Sequence, residues 1–546
     1  MGNLPLKSAE RIHAGLLAIS VSLFTIYVLA TYPIDLGRGD FLGLVAHLTP
    51  IYWIGLFLVS TSTVLLIVSN EPSRFREIAL ANLFVMCVYL VGVWTFAVPG
   101  QWYHSVVYSA ELQAVVRAGS LNALSPSYVT NSRDYPAYIM ISGFLNILGG
   151  WSFWDFAKFG DFLFLFVALL IPFGIRKWVG LTCKQAYLVS LVLLMGFYYW
   201  IWWYSPEMYG MLASFFIIPM ALSSNYTRTN VLVFALFFAS LVLNDPLVTT
   251  LLMLPLVMLT ITKREYKKAF LMVGIFIAWQ SNDAFSALVQ QASANFLDPF
   301  KSIELIKPLV ISQQFIPNPL HQIINDVRLV FPAILGGLVA ASIVSLALRR
   351  FGHLTSVTKG LLILFIGFAP DILVTFGAEI TIRIYTYALF PIGLYIAIMY
   401  WRRPKFIAVV FVILLCFYLP ARYGGSSFET TPVYDNTGSS FVAHNALPRT
   451  YAYEEVNLIG FFNSSWIYEK VPRQLFIDPS SFLDVNLTYS PNIYAYYVIV
   501  SEGSSRLWNW SYGNLPTPES VWVSDGNRSL VYNNGGYAVY VNPKPQ

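Results

Sequence analysis

Long apolar runs fill most of this chain, and short polar stretches separate them. The runs show no strict alternation of apolar and polar residues, so they predict membrane-spanning helices and not the strands of a barrel. With the thickness of the hydrocarbon layer as a ruler, the pattern predicts about thirteen spans. They lie at 15–31, 41–69, 78–98, 157–175, 185–204, 207–223, 231–244, 246–262, 268–281, 329–348, 360–377, 384–401 and 405–420.

The composition excludes a soluble globular protein. Hydrophobic residues make up 57% of the 546 positions, charged residues only 11%, and the mean hydropathy is +0.61. The net charge of +5 does not indicate nucleic acid as a partner, because most basic residues lie in short loops where membrane topology explains them. The lipid bilayer is therefore the predicted surroundings of the chain.

The basic loops predict the orientation. With a cytoplasmic N-terminus, the inner loops hold 18 Lys and Arg residues and the outer loops hold 8. If 137–151 crossed the membrane, every later basic loop would change sides, so this segment is interpreted as a helix at the outer surface or a re-entrant helix. The chain is thus predicted to be a multi-pass protein of the cell membrane, with its C-terminal region outside.

The C-terminal region, 421–546, has a different character and is predicted to be a small extracytoplasmic α/β domain. AYYVIVS indicates a buried strand, and SLVYNNGGYAVYV indicates a hairpin around Asn-Asn-Gly-Gly. EEVNLIGFFNSS indicates a helix. Four predicted glycosylation sequons fit an exported surface. They begin at Asn463, Asn486, Asn509 and Asn527.

The predicted fold class is therefore an α-helical polytopic membrane protein with a small C-terminal extracytoplasmic α/β domain. An N-terminal transmembrane hairpin occupies 1–77 and the main transmembrane domain 78–420. That domain carries a large outer loop at 99–156 and a second at 282–328.

Candidate chemistry begins in the large outer loop. His104, Tyr108 and Glu111 follow at i, i+4 and i+7, which places them on one face of a predicted helix. Arg133 and Asp134 stand where the loop returns to apolar sequence. These residues indicate a polar face lining a cleft above the membrane. The alternative is an interfacial amphipathic helix, anchored by the two aromatic residues at its start.

Two further outer turns carry charge where charge near lipid is unfavourable, which makes them site candidates. Ser205-Pro206-Glu207 joins two predicted spans, although a serine N-cap with proline and an acid behind it is also an ordinary helix start. Glu379 and Arg383 lie at the outer end of a late hairpin. Arg383 suits a phosphate, but a structural i, i+4 pair with Glu379 is equally open.

Taken together, the layout and several stretches resemble the type C membrane glycosyltransferase superfamily, which includes oligosaccharyltransferase catalytic subunits and protein mannosyltransferases, and especially its archaeal members. The likeness extends from about Leu80 onward, and the N-terminal hairpin looks like an addition. It rests on SVVYSAELQAVVRAG followed by DYPAYIMISGFLNILGG, on Ser205-Pro206-Glu207, on ITIRIYTYALFPIGLYIAI and on SLVYNNGGYAVYV.

The resemblance implies a polyprenyl-phosphate-linked sugar donor used on the extracytoplasmic face. Glu207 matches the second-loop acid and Arg383 the arginine that meets the lipid phosphate. His104, Asp134 and Glu207 are the implied catalytic residues. Glu111, Arg133, Glu379 and Arg383 are the implied substrate-binding residues. The resemblance leaves the cofactor open, with a divalent cation, Mg²⁺ or Mn²⁺, as the candidate.

One departure keeps other functions in play. The family's first-loop Asp precedes the loop helix, and this chain has Gln101-Trp-Tyr-His104 there. A non-catalytic accessory subunit in a membrane protein complex, or a lipid-sugar binding protein, is therefore the main alternative. A transporter is a third hypothesis, and it ranks last because Asp371 is the single clear intramembrane charge that would serve it.

Overall fold

The structure is a computed structural model. It describes residues 6–34, 36, 42–69, 71–98, 101–121, 135–198, 204–223, 228–244, 246–281, 319–348, 354–373 and 378–424, and the strand segments 430–431, 452–453, 497–501, 529–533 and 537–541. The described part is overwhelmingly helical, as predicted.

The α-helices are numbered here in chain order. They are α1 Leu6–Thr31, α2 Pro50–Val68, α3 Phe75–Cys87, α4 Val93–Ala97, α5 Tyr103–Ala118, α6 Ala137–Gly149, α7 Phe153–Ile175, α8 Cys183–Gly196, α9 Pro206–Leu222, α10 Arg228–Asn244, α11 Pro246–Thr262, α12 Tyr266–Gln280, α13 Pro319–Leu348, α14 Ser356–Leu373, α15 Ala378–Tyr400 and α16 Pro404–Tyr423. A π-helix, Val88–Gly92, joins α3 to α4, and a 3-10 helix, Gly43–His47, precedes α2.

Each predicted span coincides with a helix, so the polytopic membrane fold is confirmed. Within the described residues, six helices are long and apolar enough to cross a membrane, and seven more are apolar but shorter. Several boundaries differ from the prediction, and α1 and α13 begin at Leu6 and Pro319, well before the predicted starts at 15 and 329. The span predicted at 41–69 begins its α-helix only at Pro50, because proline favours the first helical turn and keeps the residue before it extended. The span predicted at 185–204 ends as a helix at Gly196.

Hydrogen bonds between helix ends show which ends lie together. At one end of the bundle, the Ile34 N–H donates to the Ala97 carbonyl (2.9 Å), and Arg328 on α13 donates through Nε to the Ala421 carbonyl (2.9 Å). The loop helices α5 and α6 belong to this end, which is called the α5 end below.

The opposite end carries the basic loops. Lys263 Nζ donates to three carbonyls at the C-terminus of α9, those of Ala221, Leu222 and Ser223 (2.7–2.9 Å). Lys184 Nζ likewise donates to the Ser69 carbonyl (2.7 Å). Both lysines neutralise carbonyls that a helix C-terminus leaves unpaired, and this explains their partial burial.

The π-helix forms the contact between the N-terminal hairpin and the rest of the bundle. Tyr52 of α2 donates to the Tyr89 carbonyl (2.6 Å), and Tyr423 of α16 donates to the Leu90 carbonyl (2.9 Å). Tyr89 donates to the Ser20 carbonyl (2.7 Å) and passes so close to Gly55 that a side chain there would overlap its ring. A π-helix exposes carbonyls that an α-helix would use internally, and the tyrosines of both neighbours satisfy them.

The C-terminal region contains the predicted strands. β4 (Tyr497–Ser501) and the hairpin β5 (Ser529–Asn533) and β6 (Tyr537–Val541) lie in a sheet of order β3-β4-β6-β5, in which β3 (Ala452–Tyr453) runs parallel to β4. This confirms the predicted strand and hairpin. The helix predicted at EEVNLIGFFNSS lies outside the described residues. A separate pair, β1 (Gln101–Trp102) with β2 (Thr430–Thr431), is antiparallel and joins this region to the start of α5.

Candidate functional site

The predicted loop helix exists as α5, and it is fixed at its start. β1 precedes it directly and pairs with β2, which follows α16. His104 lies in the first turn of α5, but its side chain is not among those described. Glu111 lies two turns later and is described in full.

Glu111 is held by a tyrosine from α6. The Tyr138 hydroxyl donates to the Glu111 Oε2 at 2.5 Å. Such a short bond to a carboxylate is typical of charge-assisted hydrogen bonds, which are about twice as strong as neutral ones. Tyr108 packs edge-on against the same Tyr138 ring, with centroids 5.5 Å apart. Tyr108 and Glu111 therefore share the face of α5 that meets α6, as their spacing predicts.

The start of α9 is fastened to both loop helices. The Tyr204 N–H donates to Ser105 Oγ on α5 (3.0 Å). Ser142 Oγ on α6 and the Tyr209 hydroxyl are 2.7 Å apart. Ser105 follows His104 in sequence, and Tyr204 precedes Glu207 by three residues. The first part of the predicted loop 99–156, as far as residues 101–121 describe it, and the turn Ser205-Pro206-Glu207 therefore meet at the α5 end.

A cluster of aromatic rings fills the space between these elements. Tyr204 packs on Phe156 of α7 (5.4 Å), on Tyr138 (6.0 Å) and on Tyr209 (6.3 Å). Its side chain is fully buried, and this burial raises the pKa of Tyr204 well above its usual value, with Tyr209 adding to the effect. Tyr204 therefore stays neutral and acts as packing under the polar face.

The start of α9 has the residue positions of an ordinary helix start, which the sequence also allows. Ser205 and Pro206 take the N-cap and N1 positions, and Glu207 lies in the first turn. The Ser205 side chain, however, makes no capping hydrogen bond, and within the described residues its buried Oγ has no hydrogen-bond partner. The residues therefore take the helix-start positions that the sequence allows, without the side-chain capping hydrogen bond.

For the other predicted residues, the structure describes only neighbouring positions or the backbone. Arg133 and Asp134 lie outside the described residues, but Tyr135, which follows them, is buried and contacts Gln280 at the end of α12 (3.4 Å). Glu379 and Arg383 lie on α15, and their side chains are not described. The four sequon asparagines also lie outside the described residues.

Further along α15, its contacts show which end of the bundle Glu379 and Arg383 belong to. The Tyr385 hydroxyl donates to the Gly196 carbonyl (3.4 Å) at the end of α8. Phe197, the next residue, accepts from Tyr418 near the end of α16 (3.4 Å). The N-terminal turns of α15 therefore belong to the α5 end. Whether Glu379 pairs with Arg383 stays a prediction.

Sequence reasoning missed a buried ion pair. Asp161 on α7 lies 3.5 Å from the Nη2 of Arg422 on α16, and the two side chains are only 2% and 5% exposed. Thr95 on α4 lies 3.5 Å from the same carboxylate. Asp161 lies near the start of the span predicted at 157–175. Its position inside an apolar run was the available signal, because a charge buried beside lipid needs a partner.

No metal centre is assigned. Among the described side chains, no three His, Cys, Asp or Glu residues gather as metal ligands.

Comparisons with known proteins give one kind of similarity. No family model and no curated protein matches the chain. Among solved structures, it is similar to ArnT from Cupriavidus metallidurans, in the apo state and bound to undecaprenyl phosphate. In both comparisons the TM-score is 0.45 and the identity 12%, over 81% of this chain and 94% of that chain. At this level of similarity no residue role carries over.

Proposed function

We propose that this chain is a membrane glycosyltransferase-like protein that takes a sugar from a polyprenyl-phosphate donor at the α5 end, on the extracytoplasmic side. The proposal joins the sequence resemblance to the geometry of the loop. The observation that carries it is the joint of α5, α6 and α9, made by the Tyr204–Ser105 and Tyr138–Glu111 hydrogen bonds. This joint gathers His104, Glu111 and Glu207 on elements that are fixed to one another.

The proposed reaction needs one base and one site for the leaving phosphate. His104, Asp134 or Glu207 accepts the proton of the acceptor hydroxyl as its oxygen bonds to the anomeric carbon. The bond from that carbon to the phosphate oxygen breaks, and the polyprenyl phosphate leaves with the electron pair. Arg383 binds the phosphate through charge-assisted hydrogen bonds, and Arg133, Glu111 and Glu379 bind the rest of the donor.

The direct test is sugar transfer from a radiolabelled polyprenyl-phosphate sugar by the purified, reconstituted protein. The double variant Glu207→Ala, His104→Ala should lose about 100-fold or more in rate, since a positioned acid–base group contributes that much. A matched control is Glu77→Ala, which removes an acid from the first turn of α3 instead of α9. Equal transfer by the wild type and the double variant would remove both residues from the mechanism.

A non-catalytic accessory subunit or lipid-sugar binding protein is the second candidate. The observation that favours it is Gln101-Trp-Tyr-His104, which occupies the place of the acid implied by the resemblance. This candidate predicts that the protein binds the polyprenyl-phosphate sugar without turnover and co-purifies with an active transferase. Binding measured by equilibrium dialysis, in parallel with the transfer assay, separates the two.

A further inference from the structure

Helix α6 has two opposite faces of different chemistry. Tyr138, Ser142 and Asn146 follow at i, i+4 and i+8 and form one stripe. Met140, Phe144, Ile147 and Leu148 form the other. With 3.6 residues per turn the two stripes point roughly 180° apart.

Every polar side chain on the first stripe is satisfied within the protein. Tyr138 donates to Glu111, Ser142 bonds Tyr209 (2.7 Å), and the Asn146 side chain donates to the Trp151 carbonyl. No Asp, Glu, Lys or Arg occurs from residue 137 to residue 150. The second stripe of the helix therefore has no polar side chain that needs water. Contact with hydrocarbon requires this.

The second stripe is exposed. Met140 and Phe144 are each 63% exposed, Ile147 73% and Leu148 69%. These values match Leu236 of α10, a neighbouring helix, which is 62% exposed on its outward side. The exposed stripe of α6 thus continues the apolar surface that the helical bundle presents to lipid.

The helix lies across the end of the bundle and does not pass through it. Just before α6, Tyr135 contacts Gln280 (3.4 Å), and just after it, Phe156 packs on Tyr204 (5.4 Å). Both anchors belong to the α5 end, so α6 starts and finishes there. An uncharged amphipathic helix in this place fits the boundary between headgroups and acyl chains.

We infer that the stripe Met140, Phe144, Ile147 and Leu148 is a lipid-binding surface, immersed among the acyl chains of the leaflet at the α5 end. The candidate site then lies directly behind a helix that touches lipid, because Tyr138 on the opposite face of α6 holds Glu111 of α5. This inference does not depend on sugar transfer, because the contact holds whether or not the chain is an enzyme.

Fluorescence quenching tests the surface. Phe144→Cys and Ile147→Cys are labelled with an environment-sensitive dye, in a background without Cys183 and Cys416; Cys87 is buried and stays. The control is Ala118→Cys, an exposed position at the end of α5. In phosphatidylcholine nanodiscs with nitroxide-labelled acyl chains, quenching at 144 and 147 should exceed that at 118 by about twofold or more, as burial in the leaflet requires.

Aqueous iodide should give the opposite order, with strong quenching at 118 and weak quenching at 144 and 147. The inference is overturned if iodide quenches 144 and 147 as well as it quenches 118. It is also overturned if neither quencher reaches them, because a protein partner then covers the stripe. Met140→Cys, one turn earlier on the same stripe, repeats the measurement if one of the other variants does not fold.

Discussion

The Tyr138 hydroxyl helps to orient the Glu111 carboxylate. Tyr138 donates a charge-assisted hydrogen bond to it while the Tyr138 ring is held between Tyr108 and Tyr204. Both residues are confined, so the carboxylate points where the ring cluster allows. A group held in this way is preorganised for a ligand.

Replacing Tyr138 with phenylalanine should therefore destabilise the protein by about 1–3 kcal/mol, because a part-buried carboxylate loses one hydrogen-bond donor. Donor binding should weaken as well. Thermal unfolding and equilibrium dialysis measure the two effects. Tyr32→Phe, at an exposed tyrosine, is the matched control and should leave both unchanged. An unchanged melting temperature in Tyr138→Phe would show that the hydrogen bond has no weight.

Ser205 should behave unlike an ordinary N-cap. A capping serine loses about 1 kcal/mol of stability when it is replaced by alanine. Ser205 makes no capping bond and its hydroxyl is buried. Ser205→Ala should therefore leave the unfolding free energy almost unchanged, or raise it slightly, because a buried hydroxyl without a described partner is removed. A loss of about 1 kcal/mol in thermal unfolding, as for an ordinary capping serine, would contradict the geometry. Thr182→Ala removes a real capping box and supplies the comparison.

At the scale of elements, α9 is fixed at both ends by different chemistry. Its N-terminus is fastened to α5 by the Tyr204–Ser105 hydrogen bond. Its C-terminal carbonyls are capped by Lys263 and by Lys268, whose Nζ lies 3.1 Å from the Met220 carbonyl and 2.6 Å from Glu265. The helix that carries Glu207 is therefore also held at its C-terminus, at the end of the bundle opposite the α5 end.

Lys263→Met should remove the three hydrogen bonds that Lys263 donates to the C-terminal carbonyls of α9 and leave the one from Lys268. Three carbonyls lose their donor, so we expect a loss of about 1–3 kcal/mol in unfolding free energy. Lys267→Met, at an exposed lysine in the same loop, is the control and should be neutral. Thermal unfolding in detergent measures both. If the two variants melt alike, the carbonyl contacts of Lys263 do not stabilise α9.

Much at this scale could be predicted from the sequence. Apolar runs longer than a soluble helix predicted the spans, and Asn533 to Gly536 between two β-rich runs predicted the hairpin of β5 and β6. The pairs that build the site could not be predicted. Tyr138 and Glu111 are 27 residues apart, and Asp161 and Arg422 are 261 apart. Only the packing of the bundle brings such partners together.

At the scale of the whole molecule, the two ends of the bundle differ in charge. The basic loops gather at one end, while α5, α6 and the start of the C-terminal region gather at the other. The positive-inside rule then assigns the basic end to the cytoplasm. This orientation is a prediction.

Labelling tests the orientation. A membrane-impermeant maleimide applied to intact cells should modify Leu530→Cys, on the exposed strand β5, and should not modify Lys267→Cys until the membrane is opened. The background again lacks Cys183 and Cys416. The reverse pattern would place the α5 end in the cytoplasm and end the proposal of an extracytoplasmic site.

The five-residue π-helix ties the N-terminal hairpin to the rest of the bundle, although the hairpin looks like a separate addition in the sequence. The main-chain oxygens of Tyr89 and Leu90 receive hydroxyls from opposite directions, one from the hairpin and one from the last turn of α16. Deletion of the hairpin would leave the Tyr89 carbonyl without the hydrogen bond from Tyr52 and would remove the tyrosine contacts of the hairpin. In a shortened chain this stretch would be expected to return to an ordinary α-helix. The last turn of α16 would then lose the Leu90 carbonyl as the acceptor of Tyr423.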